Sequence, residues 1–212
     1  MRAKLAFVLA MTTAALTASS QTITFSSTAE GDSSTDWVYN STAFNNRFAG
    51  KLNFSDPGNT AGLGTAFKTV CVDLDNAISS GNSWNASVQL SGSLSGGLAL
   101  AGRIVGTYFG AATTNSTAKQ LQLAVWEAVY DGVANGGTAD FSSGIFKSVE
   151  ATATADTYYS AVTTNPWAQA YYLSPTGGDH GQAQMTMTPE PATFAVLGLG
   201  GLLAARRKRK QA

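Results

Sequence analysis

The segment Gln120-Leu121-Gln122-Leu123-Ala124-Val125-Trp126 lies within an apolar pattern, Ala118, Leu121, Val125, Ala128 and Val129, whose three- and four-residue steps predict a helix. Asn115, Ser116 and Thr117 offer N-cap chemistry before it, and Gly132 supplies a stop after it. Upstream lies the chain's only cysteine, in Val70-Cys71-Val72-Asp73-Leu74. There Phe67, Thr69, Cys71 and Asp73 alternate with Lys68, Val70, Val72 and Leu74, which is the period of a strand. A strand carrying the lone thiol and a capped helix carrying Gln122 are the two elements on which the rest of the chain is read.

Working outward, residues 22–25, 51–54 and 84–90 alternate polar and apolar side chains and predict half-buried antiparallel strands. Asp56-Pro57-Gly58-Asn59 and residues 62–64 are turn chemistry between them. The period changes at Leu98, Ala101, Ile104, Val105, Tyr108 and Phe109, whose spacing predicts a helix despite Gly102 and Gly106. A third helix is expected over about 143–162, before Asn165-Pro166, and strands return at 169–173 and 182–188. Strands, then about three helices, then strands make an α+β chain with an antiparallel, barrel-like body.

The 212 residues are 44% hydrophobic and 12% charged, enough for one domain with a sizeable core plus processing segments. The formal net charge of zero conceals an asymmetry. Arg2, Lys4, Arg206, Arg207, Lys208, Arg209 and Lys210 are seven of the thirteen basic residues, leaving six basic against twelve acidic residues between 21 and 188. A body near −6 repels phosphate backbones, so nucleic acid is not an expected partner.

Arg2 and Lys4 precede an apolar run and then small residues, the pattern of a secretory signal peptide. With Ala18 and Ser20 at the positions a signal peptidase reads, residues 1–20 form the leader and Gln21 starts the mature chain. The body is then 21–188, and 189–212 is a terminal signal. That signal comprises Pro189-Glu190-Pro191, fourteen uncharged residues over 192–205, and a basic cluster from Arg206. It resembles a PEP-CTERM sorting signal in its triplet, its Gly-rich apolar run and its terminal arginines Arg206 and Arg207. The resemblance implies an exosortase that cuts near the triplet and passes the body to the cell surface or extracellular matrix. Fourteen helical residues span about 21 Å against a hydrocarbon core near 30 Å, a short transmembrane helix that is marginal as a permanent anchor unless its basic flank snorkels. The basic end stays on the cytoplasmic side, leaving the body outside the inner membrane.

Gln122, Ala124, Val125 and Trp126 together resemble the Q-x-A-aliphatic-W signature of thioester-domain surface adhesins, and Val70-Cys71-Val72 is similar to the context of their cysteine. The resemblance implies a Cys71–Gln122 thioester shielded by Trp126, which lies four residues on and so on the same helical face. Such a bond is an activated acyl group that captures an amine on a surface or matrix ligand once. The chain departs from those adhesins in having Leu121 where a Thr usually precedes the Gln, and in a much shorter Cys-to-Gln spacing. The residues alone leave a second reading open: Cys71 as a small buried hydrophobe, and Leu121, Val125 and Trp126 as helix core in a non-reactive structural or matrix protein.

Other chemistries are weakly supported. His180, the only histidine, sits in Gly177-Gly178-Asp179-His180-Gly181 without a partner at metal spacing. Asp73-Leu74-Asp75-Asn76 opens like a calcium loop, but Ile78 and Trp84 stand where that loop needs Gly and Glu. Gly92-Ser93-Leu94-Ser95-Gly96 has its serines misplaced for a nucleophile elbow, and no spacing nominates a carboxylate pair. The expectation is a non-enzyme with no metal and no cofactor.

Overall fold

The computed structural model describes residues 20–132, 138–177 and 181–187. The chain opens on a long hairpin of β1 (Ser20–Tyr39) and β2 (Thr42–Ser55). Asn40 and Ser41 turn it, with φ of 48° and 66°, the two positive φ values that a two-residue hairpin of the right twist requires. The register shifts repeatedly along the hairpin, bending it, and Gly31 faces Gly50 where the strands come too close for a side chain. The strands expected over 22–25 and 51–54 are the two ends of this hairpin nearest the barrel core.

Next come β3 (Ala66–Cys71) and β4 (Ser83–Leu90), then helices α1 (Gly96–Tyr108) and α2 (Asn115–Tyr130). A two-residue strand β5 (Phe146–Lys147), short helices α3 (Ala153–Tyr159) and α4 (Ala161–Thr164), and strands β6 (Ala170–Pro175) and β7 (Gln184–Met187) follow. The pairings run β1–β2–β3–β7–β6–β4 and return to β1, so six strands close a ring in which every pairing is antiparallel. β5 adds to the outer end of β1, at Val38 and Tyr39. This is the α+β, barrel-like arrangement expected, and closure leaves the ring without an open edge.

Ile23, Phe25, Leu52, Phe54, Trp84 and Val88 fill one core cluster from the ring strands. A larger one joins α1 and α2 to β3, β6 and β7 through Val70, Ile104, Val105, Leu121, Val125 and Met185. α2 is more buried than a one-face stripe predicts, since every residue from Gln120 to Ala128 is inside. Its N-cap is Thr114, one residue before the expected trio, in a reciprocal box with Thr117.

The long helix expected over 143–162 does not form. Asp140 draws the Ser142 and Ser143 hydroxyls into a turn, Gly144 takes φ of 90°, and fully buried Phe146 pairs with Tyr39. Only from Ala153 does the periodicity of Ala155, Tyr158, Tyr159 and Val162 become helical, capped by Thr152.

Candidate functional site

The site forms where β3 ends. Cys71 pairs with Gln184 of β7 and the Val72 N–H turns to the Ala183 carbonyl, so the backbone groups of Cys71 face the other way. On that side the ladder with β2 has stopped at Lys51 and Val70, leaving the N–H and C=O of Cys71 without a strand to bond. Gln122, from the middle of α2, fills the gap. The Cys71 N–H donates to Gln122 Oε1 at 2.9 Å, and Gln122 Nε2 donates to the Cys71 carbonyl at 2.7 Å. One side-chain amide thus replaces a strand neighbour across 51 positions of sequence. Both residues are inside, Gln122 at 1% exposure and Cys71 at 5%.

The thiol points along the outgoing chain, donating to the Asp73 carbonyl at 2.9 Å, with the Asp73 N–H 3.3 Å from sulfur. The loop that follows is fixed from several directions. The Asp73 carboxylate accepts from the Asp75 and Asn76 N–H groups, Leu74 N–H donates to the Tyr130 hydroxyl, and Gln182 Nε2 donates to the Asp73 and Asn76 carbonyls. The opening that resembles a calcium loop is therefore a backbone turn, and no group of three metal-ligating side chains occurs among the described residues.

Trp126, one turn after Gln122, lies over the same spot as part of an aromatic wall. Its ring is 4.7 Å from Trp37 and 5.7 Å from Phe146, and Trp37 stacks on Phe44 at 6.0 Å. Cys71, Leu123, Trp37, Phe146 and Trp126 pack as one cluster. Beside it opens a cavity of about 500 Å³, lined by Cys71, Gln122, Trp126, Trp37, Phe48 and Leu52 among others, with Arg47 and Ser80 also on its lining. Burial pushes the Cys71 thiol up to about 12, with the Asp73 backbone and the Trp126 indole pulling the other way. The resting sulfur is a neutral thiol, and the polarised group is the Gln122 carbonyl, held by the Cys71 N–H.

The structure thus places Cys71, Gln122 and Trp126 together. Sequence reasoning overlooked Trp37, Tyr130 and Gln182, which wall the cavity or fix the loop. Trp37 was within reach, because Thr35, Trp37 and Tyr39 alternate with polar and aliphatic neighbours in Asp36-Trp37-Val38-Tyr39. Pro189, Glu190, Pro191, Arg206, Arg207, His180 and leader residues 1–19 lie outside the described residues. No described helix is long and apolar enough to cross a membrane.

No curated protein and no solved structure matches the chain. Residues 188–210 do match a family model, that of the PEP-CTERM protein-sorting motif. With that match the chain reads as an exported protein, membrane-anchored before an exosortase processes it, and bound for the cell surface or extracellular space.

Proposed function

We propose that the body is a covalent adhesin domain in which Cys71 and Gln122 form an internal thioester that captures an amine on a surface or matrix partner. The observation that supports it is the double hydrogen bond that holds the edge of the Gln122 amide against the Cys71 backbone. In the forming step, the Cys71 sulfur bonds to the Gln122 amide carbon and the carbon–nitrogen bond breaks. The thiol proton goes to the leaving nitrogen, which departs as ammonia. The Cys71 N–H is already on the carbonyl oxygen, where negative charge develops during attack. Because both groups belong to one rigid core, the step is intramolecular and runs at high effective molarity. An incoming amine then forms a carbon–nitrogen bond at Gln122 and returns the thiol to Cys71. Trp126 and Trp37 exclude water from the acyl group until then. Capture is stoichiometric, so the domain is not an enzyme.

A second reading has a specific observation in its favour. A thiol held near 12 is a poor nucleophile at neutral pH, and the same two hydrogen bonds serve a bond-free domain by satisfying the end of β3. In that reading the protein is a non-reactive structural component of the surface or matrix.

Intact mass of the freshly purified secreted body separates the two. The adhesin is lighter than its sequence by one ammonia; methylamine restores an amide at Gln122 and exposes one alkylatable thiol. Full sequence mass in the untreated body, unchanged by methylamine, leaves the structural reading.

A further inference from the structure

The barrel has an apolar foot near the start of β6, and we infer that this end rests on the bilayer while the chain is still anchored. Five large apolar side chains are exposed among the described residues, and three of them, Leu90, Trp167 and Met187, belong to the segments around the start of β6. The strand register brings Leu90 and Met187 to the start of β6, on opposite faces of the ring wall. Met187 pairs with Ala170, Leu90 pairs with Tyr171, and Trp167 precedes Ala170 by three residues, at most about 11 Å of chain. Met187 also reaches the turn after α1, its sulfur 3.8 Å from where a Cβ on Gly110 would sit. Trp167 is 87% exposed, Met187 40% and Leu90 37%, an unusual concentration for a body whose other tryptophans are buried.

The sequence beyond this end says what covers it. Met187 is followed by Thr188, the Pro189-Glu190-Pro191 triplet and then the uncharged run from Ala192. Five chain steps separate Met187 from Ala192, at most about 18 Å, so a membrane-inserted run holds this end of the barrel at the headgroups. An exposed indole there has its preferred environment, apolar on one side and hydrated at its N–H. Cys71 pairs with Gln184, three residues before Met187 and about 10 Å along the strand. The inference rests on membrane anchoring through the sorting motif and is independent of the thioester.

The test uses the full chain reconstituted into phosphatidylcholine vesicles. Trp37, Trp84 and Trp126 are buried, so iodide should quench the fluorescence of Trp167 alone, and W167A should lack the quenchable component. Insertion is checked separately by flotation with the vesicles. The expected result is loss of iodide quenching to the W167A level in floated protein, with quenching by lipids brominated in the upper acyl chain. Trp167 that stays open to iodide in floated protein overturns the foot and leaves anchoring intact. Protection without bromolipid quenching, growing with the protein-to-lipid ratio, overturns it in favour of a second copy of the chain. Failure to float removes the anchoring itself, and the foot with it.

Discussion

At Cys71 and Gln122 two roles overlap in the same atoms, which changes how substitutions there are read. Gln122→Ala removes both partners of the buried Cys71 backbone in an unbonded protein, each unsatisfied group costing about 1–3 kcal/mol; in a bonded one, whose Gln122 nitrogen has already left, it removes the carbonyl partner of the Cys71 N–H together with the covalent bond. Its melting curve falls in either case. Cys71→Ser is the informative change, because the serine hydroxyl can still donate to the Asp73 carbonyl as the thiol does. Without a thioester it should cost about 1 kcal/mol. With one, it also opens a covalent loop of 51 positions, worth about 4 kcal/mol on the chain-entropy account developed for disulfides. Urea unfolding of both single variants and the double variant closes the cycle. A bonded protein should lose strongly to Cys71→Ser in the parent, yet show a double variant only about 1 kcal/mol below Gln122→Ala alone. A Cys71→Ser variant close to the parent, with additive losses, rules the bond out.

At the scale of elements, α1 forms where its spacing predicts a helix, and its glycines have a reason that propensity does not show. Gly102 and Gly106 weaken the helical pattern by propensity, yet each marks a close approach: a Cβ on Gly106 would stand 2.4 Å from the Gln169 carbonyl oxygen, and one on Gly102 2.1 Å from the Ser91 hydroxyl. Gly106→Ala should therefore destabilise by about 1–3 kcal/mol through overlap with backbone, although alanine is the better helix former by about 1 kcal/mol. An equal or raised denaturation midpoint would show that α1 and the segment before β6 are not held this tightly. The elements legible beforehand were those whose pattern is local: α1 and α2 from their apolar spacing, β3 and β4 from alternation. The β1–β2 hairpin was seen only at residues 22–25 and 51–54, because its register shifts break the two-residue period elsewhere. Ring closure joins β1 to β4 and β3 to β7 across long sequence gaps, which no local pattern encodes. β5 exists because Phe146 finds Tyr39 and Trp126, a tertiary cause that 143–162 does not display. Cys71 and Gln122 were paired in advance only through resemblance to a motif. That the amide would bond the Cys71 backbone, on the side β2 had left, needed the topology.

For the whole molecule, both expected processing points flank the barrel without cutting into its pairing. A cut after residue 20 leaves the pairs from Gln21 with Ala86 to Thr24 with Ser83 in place, and the described pairs of β7 run from Gln184 to Met187, before the matched motif begins at 188. Folding and sorting are therefore separable. Deleting Pro189-Glu190-Pro191 should leave the ring, the cavity and the Cys71–Gln122 contact unchanged while removing the triplet near which an exosortase is expected to cut. The uncharged run and its basic flank remain, so the uncut chain should accumulate in the inner-membrane fraction and be lost from the surface and medium. Protease resistance of the retained body, equal to that of the parent, distinguishes failed sorting from failed folding. A deletion variant that reaches the surface in parental amounts would show that the triplet does not direct this protein there, even with its fold intact.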